Sequence, residues 1–408
     1  MAITILQQPS NGCALSRPNF IYLNSNLANS WSDFRYIISI EYTDPDSATP
    51  NNSISIGKFR FSPDPLSKKG MFDISKVALN YFNHKFQGSF KLVAWQTDKI
   101  NVYLSYSFGE YYNGSEHFPI QAANYLKAYY YYTDILASVI TPSYPTTYRV
   151  LSDRDLTNII VPQKRNLYLP FNNIYFGTPA NHLFGWYSYI NGSNIPDDDG
   201  VFNLSLSKQC IELNLNSLVL NHTIFGADNP AITSYLLEIQ KPSGESLQPI
   251  KVNYKCVKNN DMQIHFLNRF GAWETMSFSA INREETESER RTFKSKGITA
   301  LNSSILDYSG YIAPGIGFTT YVKDRKETVF FDNVKTKYTL VSDYVNEQDY
   351  KWLQQLINTP SAYVEKYNPN FTLVYPCVIE TSQWKQKFSG ADKIFNLEIT
   401  ISVGEQLI

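Results

Sequence analysis

The sequence predicts a mainly β chain: two β-sandwich-like domains with short inserted helices, followed by a smaller α+β unit. Three observations predict this. Short alternating segments recur before residue 290, separated by turn-forming clusters such as Asn191-Gly192-Ser193 and Pro242-Ser243-Gly244. Near the end, Asn346 precedes a helical stripe of Tyr350, Trp352, Leu353, Leu356 and Ile357, with Pro360 just beyond. The segment from Ile394 to Val403 then alternates. Phe395, Leu397, Ile399, Ile401 and Val403 fall inward; Asn396, Glu398, Thr400 and Ser402 fall outward. We divide the chain at 1–145, 146–290 and 291–408, which suits roughly 150 residues per domain.

The N-terminal elements come in order. Arg35 to Tyr42 places Tyr36, Ile38, Ile40 and Tyr42 on one strand face, with Ile37 as the exception. Asp44 to Asn52 is a loop, and Gly57 to Phe61 resumes a strand. Asp73 caps a short helix from Ile74 to Phe82. Phe90 to Trp95 and Val102 to Phe108 are strands. Phe118 to Leu136 has apolar residues at helical spacing, although Tyr129 to Tyr132 suits a strand equally. The two prolines of Thr141 to Thr146 mark the first boundary.

Six β-like segments follow: Asn166–Leu169, Tyr187–Ile190, Val201–Leu206, Ile211–Leu215, Tyr235–Ile239 and Ile250–Cys256. Ile264 to Phe278, IHFLNRFGAWETMSF, reads as a hairpin. Its structural residues are Asn268, Gly271, which takes the turn's positive φ, and a buried Trp273. Asn282 to Lys296 carries mixed charge, and Glu287 and Arg291 have the spacing of an exposed helical pair. A solvated connector is the expectation there. Phe371 to Glu380 is a strand.

Composition argues against several function classes. Thirty-six basic and 37 acidic residues leave a net charge of -1, so no field favours nucleic acid. No apolar run is long enough for a membrane span, and the start carries no secretory signal pattern. Cys13, Cys210, Cys256 and Cys377 form no CxxC, and His84, His117, His182, His222 and His265 are scattered, so neither zinc nor a disulfide framework is expected. Four buried or half-buried thiols are the simpler expectation. GxSxG, Walker A and GxGxxG are absent, and no cofactor is expected. Asp197-Asp198-Asp199-Gly200 fails the EF-hand register, because Ile195 and Leu206 occupy ligand positions; an acidic turn is the better reading. Gly315-Ile316-Gly317 is an isolated loop pair. Aromatics make up 15% of the chain and fit core and interface first, sugar stacking second.

Three segments carry a resemblance: IHFLNRFGAWETMSF, GKFRFSPDP with GMFDISKVALNYF, and EQDYKWLQQLINTPSAYVE. They resemble virion structural proteins of phages infecting Bacteroidetes, of the crAss-like podovirus kind. The resemblance implies a tail, collar or ring component, made in the host cytoplasm and built into the virion. It also implies partners among other virion proteins and copies of the same chain, and supplies no catalytic residues. Two readings compete, a receptor- or glycan-binding fibre or spike component and a glycan-degrading enzyme. Exposed aromatics lining a polar groove would favour the first; two carboxylates in a cleft would favour the second. For assembly, we expect the C-terminal unit to supply an intersubunit surface through Trp352, Leu356, Asn396, Glu398 and Thr400, with the closing strand at a sheet edge.

Overall fold

The computed structural model describes residues 3–9, 13–15, 18–43, 53–82, 85–88, 91, 93–97, 101–118, 124–129, 149–172, 180–190, 193–194, 200–206, 210–216, 232–240, 249–256, 261–280, 282–294, 300–301, 318–319, 327–366, 373–381 and 395–403. The expectations for Asp44 to Asn52, Thr141 to Thr146, Asp197 to Asp199 and Gly315 to Gly317 lie outside these residues.

The N-terminal strands are β1 (Thr4–Gln7), β2 (Cys13–Ala14), β3 (Phe20–Asn24), β4 (Arg35–Thr43), β5 (Ser53–Phe61), β6 (Gly70–Asp73), β7 (Val93–Thr97), β8 (Asn101–Tyr112), β9 (Ser115–His117) and β10 (Asn124–Tyr129). A sheet β1-β3-β6 faces a sheet β2-β10-β8-β4-β5. Tyr36, Ile38 and Ile40 of β4 meet Leu104, Tyr106 and Phe108 of β8 in one core with Ile21 and Leu23 of β3. Period-two alternation thus folds this region as a sandwich. The short helix is α1 (Ser75–Leu79). Asp73 stands two residues before it, and its Oδ1 accepts from the Ser75 amide at 3.1 Å and hydroxyl at 2.5 Å. Within Phe118 to Leu136, where the sequence suits helix and strand alike, Asn124–Tyr129 form strand β10, paired along β8.

The central strands are β11 (Arg149–Val150), β12 (Ile159–Pro162), β13 (Tyr168–Asn172), β14 (Ala180–Ile190), β15 (Ser193–Asn194), β16 (Gly200–Leu206), β17 (Cys210–Asn214), β18 (Ser234–Gln240) and β19 (Ile250–Lys255). They form a second sandwich. Sheet β11-β13-β17-β7 packs Leu169, Phe171, Ile211 and Leu213 against Val161, Leu237, Ile239 and Val252 of sheet β12-β19-β18-β14-β15.

The last strands are β20 (Met262–Leu267), β21 (Trp273–Phe278), β22 (Arg283–Lys294), β23 (Ala300–Leu301), β24 (Phe318–Thr319), β25 (Glu327–Val341), β26 (Ala362–Lys366), β27 (Leu373–Ile379) and β28 (Glu398–Val403), with helix α2 (Glu347–Ile357). Seven of them form one sheet, ordered β21-β20-β26-β27-β28-β25-β22. Its core is closed by Trp352, Leu353 and Leu356 of α2. The Asn346 side chain caps α2, accepting from the Asp349 amide at 2.7 Å.

The sheets correct three expectations. The boundary at 290 falls inside β22, and the hairpin β20–β21 belongs to the C-terminal sheet because β20 pairs with β26. The boundary at 145 is also crossed, since β7 pairs with β17 of the central sheet. The charged segment is no helix: β22 is a strand paired with β25 along its whole length. Glu287 pairs with Lys337 across the strands at 3.0 Å, and Arg291 lies 3.4 Å from Glu289.

Candidate functional site

Among the described residues, a dense cluster of polar side chains lies where the central sheet meets the C-terminal sheet. Strand alternation builds it. In β20, Met262, Ile264 and Phe266 join the core under α2, which leaves Gln263 and His265 on the opposite face. In β26, Ala362 and Val364 face that core, and Tyr363 and Glu365 point the other way. In β17, Ile211 and Leu213 face the central sandwich, so Glu212 and Asn214 turn toward β20–β21. The central sheet is therefore covered on both faces, which is why every residue of β17 is buried.

Within this seam His265 is fully buried. One ring nitrogen, Nδ1, lies 2.9 Å from Thr275 Oγ1, and Nε2 lies 3.0 Å from Glu365 Oε2. Glu365 also accepts from Asn166 Nδ2 at 3.0 Å. Burial pushes the Glu365 carboxyl up, but His265, Asn166 and Arg165 together outweigh it and hold it below its ordinary value. Arg165 Nε donates to both oxygens of Asp261 at 3.0 Å and Nη2 donates to its Oδ1 at 2.5 Å, a buried fork-on-carboxylate pair. Phe86 stacks on His265 with ring centroids 4.5 Å apart and meets Tyr168 and Trp273 edge-on.

A second group surrounds Glu274. Asn268 Nδ2 and Trp352 Nε1 each donate to its Oε2 at 2.9 Å. Burial pushes Glu274 up to about 7. Glu212 accepts from the Trp273 amide at 2.9 Å, and burial pushes it up to about 8. Arg154 stacks over Trp352 and donates to the Thr275 carbonyl at 3.3 Å.

The hairpin residues are where the sequence places them. Gly271 has φ +79°, and Trp273 is 1% exposed. Asn268 does more than occupy a loop. Its Oδ1 accepts from the amides of Phe270 and Ala272, and its Nδ2 reaches the Leu151 carbonyl at 2.7 Å. His265 lies in strand β20 with both ring nitrogens in hydrogen-bond contact. Arg165, Asp261, Glu365 and Glu212 are absent from the sequence-level candidates, because their partners are far away in the chain.

The interface expectation is corrected by geometry. Trp352 and Leu356 are buried against their own sheet. Asn396 and Glu398 are exposed and Thr400 half-buried, but β28 is paired on both sides, with β25 and β27. An interior strand has no free edge to offer. Among the cysteines, Cys210 is buried, Cys377 half-buried with its thiol pushed by burial to about 12, and Cys256 exposed, unlike the expected buried thiols. Among the described residues no group of His, Cys, Asp or Glu is arranged to hold a metal ion. No helix among them is long and apolar enough to cross a membrane.

The cluster has the residue types of acid–base chemistry in the order hydroxyl, imidazole, carboxylate. All three sit between packed sheets, with His265 at 0% exposure and Thr275 at 1%. In this arrangement their hydrogen bonds run to one another, to the Asn166 side chain and to the Tyr168 amide. What the geometry does is join two sheets.

No family model matches the chain, and no curated protein matches it. Among solved structures, the crystal structure of a Salmonella alpha-2-macroglobulin mutant is similar at 8% identity and a TM-score of 0.20. The match covers 100% of this chain and 38% of that one, so this chain spans well under half of the other's length. At that score the likeness carries no argument.

Proposed function

We propose that this protein is a structural component of a phage virion, a tail or neck protein of the ring or collar type that assembles with copies of itself and with other virion proteins. The observation that carries the reading is the resemblance of the three segments around Gly57–Phe82, Ile264–Phe278 and Glu347–Glu365 to such proteins, in one order along the chain. The geometry supports it in one respect. Each of these segments contributes to a packed core, and the ionisable groups of the central cluster serve cohesion between sheets.

The reading assigns no enzymatic role. Mass spectrometry and cryo-electron microscopy of purified particles test it. We expect the chain in intact virions, in a fixed copy number at the neck or tail. Its absence from particles that package DNA and infect normally would overturn the reading. Reducing-sugar release from host polysaccharide by the purified protein, abolished by one Asp or Glu substitution, would favour the enzyme instead.

A further inference from the structure

The seven-stranded sheet ends on one side at β22, and no strand lies outside β22 among the described residues. All twelve of its residues are exposed. β25 is held by β28 only from Thr336 to Val341, so Glu287–Lys294 and the facing part of β25 continue past the sheet as a two-stranded ribbon. An exposed edge this long is a template for pairing with another chain, and proteins ordinarily block such edges with charge. The charges here are sorted along the strand. Arg283 to Glu289 holds four glutamates and one arginine; Arg290 to Lys294 holds three bases and no acid.

That sorting selects the partner. A parallel copy of the same strand would set acid against acid and base against base. An antiparallel copy sets the acidic half against the basic half, twice over. We infer that β22 pairs with β22 of a second copy of this chain, antiparallel about a two-fold axis at Glu289, joining two seven-stranded sheets edge to edge. A two-fold axis normal to the sheet keeps each side chain on its own face, so residues pair across the axis in even-sum register. Glu287 then faces Arg291 of the partner subunit, Glu284 faces Lys294 of the partner subunit, and Thr286 faces Thr292 of the partner subunit. Each contact occurs twice. Glu289 alone meets its own copy, and Arg291, already 3.4 Å from Glu289, flanks that pair. Main-chain hydrogen bonds supply the adhesion, and the charges fix direction and register. The contact is isologous. It makes a dimer and closes no ring, so it stands independently of the virion reading.

Sedimentation velocity on the purified full-length chain, over a wide concentration range at low and high salt, tests this. We expect a concentration-dependent doubling of mass that weakens at high salt. The side chains of Glu287 and Arg291 are 59% and 66% exposed, so Glu287→Arg and Arg291→Glu leave the fold intact. Each single variant should be monomeric. The double variant should dimerise again, and so should an equimolar mixture of the two single variants, because each then meets its opposite charge. A wild-type chain that stays monomeric throughout overturns the inference. So does a single variant that still dimerises, or a mixture that does not associate.

Discussion

Glu212 sits on a strand covered by sheets on both sides, and its carboxyl is held protonated to about pH 8, against 4.5 for the unfolded side chain. The sign follows from proton counting. Between those values the unfolded chain has released the proton and the folded chain retains it. Stability from this group is therefore full below 4.5 and is lost as pH rises to about 8. Glu274 acts in the same direction up to about 7. Glu365, held low, acts oppositely: its contribution is lost as pH falls. Glu212→Gln removes the titration and keeps an oxygen for the Trp273 amide. We expect the variant to melt higher than wild type at pH 8, by a stability difference on the order of a few kcal/mol, with the gap closing toward pH 5. Thermal melts across that range check it. The hairpin gives a second residue-scale outcome. Trp273→Ala should cost about 3–5 kcal/mol as a large-to-small core change. Gly271→Ala should cost about 1–2 kcal/mol, because alanine pays for the left-handed backbone. Urea denaturation should rank them in that order. Both positions were legible because turn chemistry and strand alternation are local. Glu212 was not, since its burial comes from a sheet that the sequence does not place beside it.

At the scale of elements, α2 shows how one cap serves two purposes. Asn346 Oδ1 accepts from the Asp349 amide, and Asn346 Nδ2 donates to Asp155 Oδ2 at 3.0 Å. Asp349 in turn accepts from the Asp155 amide at 2.9 Å. The start of α2 is thus tied to the loop after β11. Asn346→Ala should destabilise by about 0.5–2 kcal/mol, the range for a lost cap. Hydrogen exchange should quicken in α2 and around Asp155, and leave the N-terminal sandwich unchanged; equal quickening everywhere would refute a local role. The helix was readable from its stripe and cap. β22 was not, because a strand exposed on both faces has no alternation to read, and its Glu287–Arg291 spacing imitates a helical pair. Only the pairing with β25 reveals it.

The whole molecule is layered: the outer central sheet, the inner central sheet, the half of the C-terminal sheet formed by β21, β20 and β26, then α2. The links between layers span long stretches of chain, 199 residues for Asn166 to Glu365 and 202 for Asp153 to Gln355. No local pattern encodes such contacts, and for that reason the domain limits at 145 and 290 did not match the sheets. The consequence is that the chain does not divide cleanly before α2. A chain ending at residue 340 keeps β20 and β21 but loses β26, β27, β28 and α2. Ile264 and Phe266 are then uncovered, His265 and Asn166 lose Glu365, and Glu274 loses Trp352. Breaking buried polar pairs on one side is costly, because the group left behind stays desolvated without its hydrogen-bond partner. The N-terminal sandwich has its own core and none of these links. We therefore expect the shortened chain to unfold in two steps: a cooperative N-terminal transition near its wild-type position, and a central region melting at markedly lower temperature. Chymotrypsin should cut first between residues 262 and 294, in what remains of the C-terminal sheet. If the shortened chain melts in a single transition at the wild-type temperature and resists cleavage there, the seam does not hold the central sandwich in place.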